Sequence, residues 1–138
     1  MKLYTTLNLL GMHTVCTECH DAILATGLHS DRDEQIDLLE ILESGNLDNL
    51  IEALRATIDD EAAKEVAARF IGWCLPRLNY FNRNRIDMAG VAIYSLAWDI
   101  SWAIRRDSDR NATSSDEAYE IYRKEYEHQM LKLKELLS

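Results

Sequence analysis

The stretch MAGVAIYSLAWDISWAI, residues 88–104, holds a single charge, Asp99, in seventeen consecutive positions. A helix of this composition is apolar nearly all round, so either protein or lipid must surround it. Its length reaches only the low end of a membrane-spanning segment, and Asp99 lies well inside it. We therefore predict a central helix over about 86–105 that is packed inside a bundle and not inserted in a membrane.

The rest of the 138-residue chain favours helices around this central one. Five Gly and a single Pro are too few turn-forming residues for an all-β fold of this size. Hydrophobic residues make up 47% and charged residues 28%, as is typical of a globular protein. We predict one all-α domain over 1–138, a compact bundle of five to six helices without strands.

Apolar spacing and capping residues give approximate bounds for these helices. Asp59 or Asp60 suits the start of one helix, and Pro76 ends or kinks it because proline lacks an amide hydrogen. Ser114, followed three residues later by Glu117, has the spacing of a capping box. The predicted helices cover about 5–27, 33–43, a short segment after Asp48, 59–75, 86–105 and 115–136, with irregular chain at Asn79, Asn82 and Asn84.

Residues 16–20, CTECH, spell the Cys-x-x-Cys-His pattern by which c-type cytochromes attach haem. On a helical wheel, however, Cys16 and Cys19 share the apolar face of the first predicted helix, and free cysteine behaves as a small hydrophobe. A zinc site would need two further ligands. We therefore predict two buried, unligated thiols, and no metal or cofactor. Without a run apolar enough for a secretory signal, we expect a cytoplasmic protein.

Charge is concentrated in one part of the chain. The net charge is −9, and residues 31–61 alone contain 11 Asp or Glu against two Arg. Such a field repels nucleic acid and attracts basic surfaces. Within this acidic block, four carboxylates recur every three residues, which predicts one acidic helix face. The residues that we predict to bind a partner are Asp31, Asp33, Glu34, Asp37, Glu40 and Glu43.

Two of these carboxylates admit an enzymatic alternative. Glu40 and Glu43 form a Glu-x-x-Glu pair, which resembles one half of the Mg²⁺-binding motif of all-helical nucleotide pyrophosphohydrolases. That family adds a Glu-x-x-Asp pair on the next helix, and the following helix of this chain lacks this spacing. The resemblance implies a Mg²⁺-dependent nucleotide hydrolase and covers only this half-motif.

Arg123 and His128 provide a second enzymatic alternative. Their Arg-x4-His spacing resembles the signature of HEPN ribonucleases, small all-helical domains that cut RNA with an Arg and a His. The resemblance implies that Arg123 and His128 are catalytic. This chain departs from the family at Lys124, where a polar residue such as Asn is common. Five residues along one helix also place the two side chains about 140° apart.

The stretch PRLNYFNRNR, residues 76–85, is the one basic and aromatic segment, with three Arg and no acids. Its arginines, Arg77, Arg83 and Arg85, form a predicted basic patch that could grip single-stranded RNA. A second cluster, Arg105, Arg106 and Arg110, lies beyond the central helix. About 27 Å of helix separates the two clusters, so we expect no continuous track for nucleic acid. We expect these arginines to pair with the acids of residues 31–61.

Three aromatic residues step by four along one ridge of the central helix. They are Tyr94, Trp98 and Trp102. At this spacing they form either part of the core or the anchors of an interface, since Trp and Tyr are favoured at binding surfaces. We keep both interpretations open, the second including a homodimer.

No complete catalytic constellation can be assembled from the sequence, so we expect an interaction protein in place of an enzyme. The sequence predicts a small cytosolic module that engages a basic protein surface, such as that of a nucleic-acid-binding protein, and does not bind nucleic acid directly. Inhibitors of the phage anti-defence kind and immunity proteins against toxic nucleases work in this way. The alternatives are an HEPN-like ribonuclease, a Mg²⁺-dependent hydrolase, and a helical subunit of a ribonucleoprotein or virion that uses the arginine clusters.

Overall fold

Helices account for most of the chain. The computed structural model describes residues 1–13, 21, 31–44, 47–86 and 92–138, and all of their side chains except those of 42–44, 80 and 85. Two short 3-10 turns, Leu54–Ala56 and Leu75–Arg77, extend the third and fourth helices. The all-α bundle predicted from the sequence is confirmed. Within the described ranges the helices are α1 Leu7–Met12, α2 Leu38–Ser44, α3 Leu47–Ala53, α4 Asp60–Cys74, α5 Tyr80–Arg85, α6 Ile93–Ser108 and α7 Ser115–Leu136.

α6 is the predicted central helix, and it packs against α3, α4 and α7. It begins at Ile93 and not near 86, and residues 87–91 lie outside the described part of the chain. One side of α6 is buried, and the opposite side exposes Asp99 and Trp102. The central position is therefore confirmed, but burial on all sides is not.

Asp99 corrects a specific expectation. A lone charge in an apolar span predicts a partly buried, paired carboxylate, with Arg69, Arg77 or His20 as its partner. Asp99 is exposed and makes no ion pair with another described residue. The two arginines pair elsewhere, Arg69 with Glu65 and Arg77 with another glutamate, and His20 lies outside the described residues.

The structure contains a small antiparallel sheet, so the prediction of a fold without strands is wrong. β1, Tyr4–Thr5, pairs with β2, Ile36–Asp37, and Thr5 also forms a bridge with Thr57. Thr5 donates its hydroxyl to the carbonyl of Ala56, which ties the first strand to the end of the acidic block. Because Thr6 caps α1 by accepting from the amide of Leu9, α1 cannot begin at residue 5.

α2 begins at Leu38, five residues later than the sequence predicts. The carboxylate of Asp37 accepts a hydrogen bond from the amide of Leu39 and so satisfies a free donor of the first turn. Residues 36 and 37 are then committed to β2. The predicted acidic helix face is therefore wrong, because Glu34 and Asp37 precede the helix that carries Glu40.

Capping residues define the other helices. Asp59 accepts from the amide of Ala62 at the start of α4, and Ser114 accepts from the amide of Glu117 at the start of α7, as predicted. Glu117 bonds back to the amide and hydroxyl of Thr113, and these hydrogen bonds lower the pKa of its carboxyl. Asn79 caps α5 in a segment predicted to be irregular, since asparagine serves both as a loop residue and as a cap.

Candidate functional surfaces

Both ends of the acidic block are hydrogen-bonded to the first eight residues of the chain. The segment 31–34 lies beside α1, where the amide of Asn8 donates to the carbonyl of Arg32. The Asn8 side chain bonds to both Arg32 and Asp33, at 2.9 and 2.6 Å. Asp31, Asp33 and Glu34 are all exposed.

The other end of the block reaches β1 of the small sheet. The amide of Ile58 donates to the carbonyl of Tyr4 in β1, at 2.9 Å. The next three residues, 59–61, are exposed carboxylates at the start of α4. The side chains of Tyr4 and Ile58 are themselves exposed. We call this surface the acidic end, defined by Tyr4, Asp31, Asp33, Glu34, Ile58, Asp59, Asp60 and Glu61.

Asp60 links the acidic end to the central helix. Its carboxylate accepts a hydrogen bond of 2.7 Å from the hydroxyl of Tyr94 and lies 3.0 Å from the ammonium of Lys64. These two contacts, that of Tyr94 first, lower the pKa of Asp60. Burial, and then the hydrogen bond to Asp60, raises the pKa of Tyr94. Tyr94 is thus a buried structural residue, not an exposed anchor.

The remaining residues of the predicted partner-binding set have other surroundings. Asp37 is half-buried and caps α2, and Glu40 is also half-buried. The side chain of Glu43 lies outside the described residues. The exposed carboxylates that meet at the acidic end are therefore those of residues 31–34 and 59–61.

A second polar site lies between α7 and the turn that follows α4. The guanidinium of Arg77 pairs with the carboxylate of Glu125 through two hydrogen bonds, of 2.8 and 2.5 Å, and lies 4.4 Å above the ring of Trp73. His128 meets the edge of the same ring, and its Nδ1 is 3.4 Å from an Arg77 nitrogen. We call these four residues the Arg77 cluster.

The Arg77 cluster continues into the core through Gln129, which is fully buried. Its amide nitrogen donates to Glu125 and to the carbonyl of Ser101, and its oxygen accepts from the Ser101 hydroxyl. The burial of Glu125 and Gln129 was not predicted from the sequence. Their signal was a spacing of four with Leu133 and Leu137, which are buried on the same face of α7.

Two cavities open beside the Arg77 cluster, of about 300 and 310 Å³. The first is lined by Arg77, Asn79, Ile104, Asp107, Ser108 and Glu125, and the second by Ser108, Ile121, Lys124, Glu125 and His128. His128 is exposed there and could transfer a proton. Because Glu125 engages both terminal nitrogens of Arg77, that guanidinium is neutralised within the protein.

The structure separates the two residues of the HEPN-like motif. Arg123 is exposed on α7 and pairs with Glu120 and Glu127, one turn away on either side. His128 instead contacts Arg77, a residue of the predicted basic patch. An arginine–histidine contact therefore exists, but it joins His128 to Arg77 and not to Arg123.

The predicted basic patch does not present three neighbouring charges. Arg77 is paired with Glu125, and Arg83 donates to the carbonyls of Leu75 and Leu78, closing the turn between α4 and α5. The side chain of Arg85 lies outside the described residues.

The two tryptophans of α6 face outward, unlike Tyr94. Trp98 is half-buried, and its ring stacks on Trp102 at 6.2 Å between centroids and 18° between planes. Behind them lies Arg105, which pairs with Asp48 at 2.5 Å and places its guanidinium 5.0 Å from the Trp102 ring. Arg105 belongs to the second predicted basic cluster, and it is the largest fully buried side chain of the described residues. Its partner Asp48 belongs to the acidic block 31–61, as expected for these arginines.

Metal and thiol chemistry receive little support from the described part of the chain. No group of three or more His, Cys, Asp or Glu side chains in it could hold a metal ion. Cys74 is buried, and burial raises the pKa of its thiol to about 12, so the reactive thiolate is suppressed. Cys16 and Cys19 lie outside the described residues.

Comparison with known proteins adds no assignment to the surfaces described above. No helix within the described ranges is long and apolar enough to cross a membrane. No protein-family model matches the chain, and neither a curated protein nor a solved structure gives a match.

Proposed function

We propose that this protein is a small cytoplasmic interaction module whose acidic end binds a basic surface of another protein. The observation that carries the proposal is that the exposed carboxylates of residues 31–34 and 59–61 lie on segments that adjoin β1 and the start of α1. Exposed Tyr4 and Ile58 supply apolar contact area between the charges. Such a mixture of charge and apolar area is what a specific protein interface requires.

The partner that this surface fits is a protein with a basic groove, such as a nucleic-acid-binding protein. A chain of net charge −9 accelerates its encounter with such a groove through long-range attraction. Occupying the groove would exclude nucleic acid from it. The protein would then act as an inhibitor of the anti-defence or immunity type.

Direct binding of nucleic acid is disfavoured by the same charges. Phosphate contacts dominate the affinity of proteins for nucleic acid, and they require arginines or lysines free to make them. Arg77 and Arg83 are both engaged within the protein. We therefore expect no measurable affinity for RNA or DNA at physiological salt.

Affinity capture from native host lysate tests the proposal. The double variant Glu34→Lys/Glu61→Lys reverses two exposed charges of the acidic end. Its matched control, Glu120→Lys/Glu127→Lys, makes the same change in net charge on the exposed face of α7. We expect the wild type and the control to capture the same basic protein, and the acidic-end variant to lose it. Capture should weaken as salt rises, because exposed charges are screened.

The purified partner then gives a kinetic test. The acidic-end variant should slow association more than it speeds dissociation, because steering acts on the encounter. Equal loss in the control and the acidic-end variant would show that net charge alone is involved, and would contradict a specific surface. Capture of no basic protein by the wild type would also contradict the proposal.

The Arg77 cluster supports one second candidate, a ribonuclease of the HEPN-like kind. The observation in its favour is the proximity of His128 to Arg77, beside two cavities. Catalysis would require Arg77 to exchange Glu125 for a phosphate group. We expect no RNA cleavage, and no nucleotide hydrolysis with Mg²⁺. Turnover that is abolished by His128→Ala, or by Glu40→Gln for the hydrolase alternative, would overturn the interaction proposal.

A further inference from the structure

The outward side of α6 carries an ordered set of side chains that the proposed function does not use. Ser95, Trp98, Asp99, Trp102 and Arg106 all fall within about 100° of arc on the helical wheel. Asp99, Trp102 and Arg106 are exposed, and Ser95 and Trp98 are half-exposed. We call these five residues the α6 stripe. It is a continuous surface along a helix whose other faces pack against α3, α4 and α7.

The centre of the α6 stripe is aromatic and held in place. The rings of Trp98 and Trp102 stack on each other, and the buried guanidinium of Arg105 lies behind Trp102. Trp102 is nevertheless 38% exposed. A large aromatic side chain that is already ordered loses little conformational freedom on binding, which suits an interface anchor.

The charges of the α6 stripe flank this aromatic centre with opposite signs. Asp99 lies three residues before Trp102, and Arg106 lies four residues after it. Neither makes an ion pair with another described residue, although the arginine beside them, Arg105, is fully paired. Two exposed charges of opposite sign are thus placed almost symmetrically about one tryptophan.

We infer that the α6 stripe is a two-fold interface between two copies of this chain. In an antiparallel pairing with the axis beside Trp102, a residue before the axis faces the equivalent residue after it. Asp99 of each copy then lies opposite Arg106 of the other, and the two Trp102 rings meet near the axis. A surface that complements itself in this way is what a two-fold dimer requires.

The charge pattern selects a second copy over an unrelated partner. A foreign protein would have no need for an acid and a base that are spaced evenly about one ring. A copy of the same chain neutralises both charges in a single arrangement, and does so twice. None of the residues of the acidic end belongs to the α6 stripe, so the inference does not rest on the proposed function.

Sedimentation of the full chain from micromolar to millimolar concentration tests the inference. We expect a reversible monomer–dimer equilibrium for the wild type. Asp99→Arg and Arg106→Asp should each raise the dissociation constant by at least about tenfold, because each places like charges opposite each other at two symmetric positions. The double variant Asp99→Arg/Arg106→Asp restores opposite charges and should recover dimerisation.

A pair of aromatic variants provides the matched control. Trp102→Ser should abolish the dimer, whereas Tyr119→Ser, which removes an exposed aromatic ring from α7, should leave it intact. A wild type that stays monomeric at every concentration would overturn the inference. So would a double charge variant no better than the single ones, or equal loss of dimerisation in Tyr119→Ser. The charge variants alter exposed side chains, so the result remains decisive even where Trp102→Ser fails to fold.

Discussion

Arg105 and Arg77 each place a guanidinium over an aromatic ring and pair it with a carboxylate far along the chain. Arg105 is 1% exposed, and its partner Asp48 is 36% exposed. In the other pair the order is reversed, since Glu125 is 10% exposed and Arg77 is 27% exposed. One pair therefore buries its cation and the other buries its anion.

The difference decides which substitution is costly. Removing the exposed member of a pair leaves the buried charge without compensation, and this is the expensive change. Replacing both members by apolar side chains leaves no buried charge and so avoids this cost. Arg105 is the more deeply buried of the two buried charges, at 1% exposure against 10% for Glu125. The buried cation should therefore be the less forgiving of the two.

The largest expected effect is that of Asp48→Ala. Among the described residues, it leaves the buried Arg105 guanidinium with the carbonyl of Ser101 as its one hydrogen-bond acceptor. We expect a loss of about 3 kcal/mol in the free energy of unfolding, the low end for a broken buried pair, since Asp48 itself is partly solvated. Urea unfolding measures it. Glu52 lies on the same helix as Asp48 and forms a half-exposed ion pair with Arg55. Glu52→Ala should cost less than about 1 kcal/mol.

Arg77→Met should cost somewhat less, about 2 kcal/mol at neutral pH, because Glu125 keeps its hydrogen bond from Gln129. Urea unfolding at neutral pH measures this loss. The double variant Arg77→Met/Glu125→Met should recover most of the stability. A double variant less stable than Arg77→Met would contradict the comparison.

Tyr94→Phe should destabilise the protein less than Asp48→Ala or Arg77→Met, because it removes a hydrogen bond between a neutral donor and a carboxylate. It removes the hydrogen bond that lowers the pKa of Asp60 from its ordinary value of 3.8. With this bond in place, the folded state binds fewer protons than the unfolded state as the pH approaches 3.8. The bond therefore stabilises the protein fully above pH 3.8. Its contribution is lost as the pH falls through the folded-state pKa. The difference in stability between wild type and variant should therefore narrow in acid, and a constant difference would refute the assignment.

Asp99→Asn should have the smallest effect, within about 0.5 kcal/mol, because the side chain is exposed and makes no ion pair with another described residue. Unfolding of dilute protein measures it on the same scale as the other variants. A loss comparable with that of Asp48→Ala would mean that Asp99 is buried in solution, and would restore the interpretation of α6 as apolar on every side.

Features that depend on neighbours along the chain were predictable. Asp59 and Ser114 cap their helices as expected, since a cap requires only the amide two or three residues later. The apolar stripe of α4, including Phe70 and Cys74, is buried as its spacing predicts. Asp37 was predicted on the solvent-facing side of a helix, but its side chain caps α2. Both roles depend on neighbouring residues alone, so the local sequence does not decide between them.

Pairing of the arginine clusters with the acidic block was expected, but the individual partners and their burial were not predictable. Arg105 and Asp48 are 57 residues apart, and Arg77 and Glu125 are 48 apart. Nothing local distinguishes a buried arginine from its exposed neighbours, because the cost of burying it is offset only by residues elsewhere in the fold. The acidic end depended likewise on β1, a strand of two residues that is too short for alternation to reveal.

The burial of Arg105 also fixes the rotation of α6 about its own axis. Apart from its charged residues, α6 carries apolar and aromatic side chains over most of its circumference, so neighbouring orientations would bury comparable surface. A buried guanidinium accepts only the one that faces Asp48, and a slip of one residue would swing it by about 100°. We therefore expect Arg105→Met to leave a stable bundle in which α6 is rotationally less well defined, with weaker near-ultraviolet circular dichroism from Trp98 and Trp102. The side of α6 that meets solvent is thus selected by a residue that never reaches it.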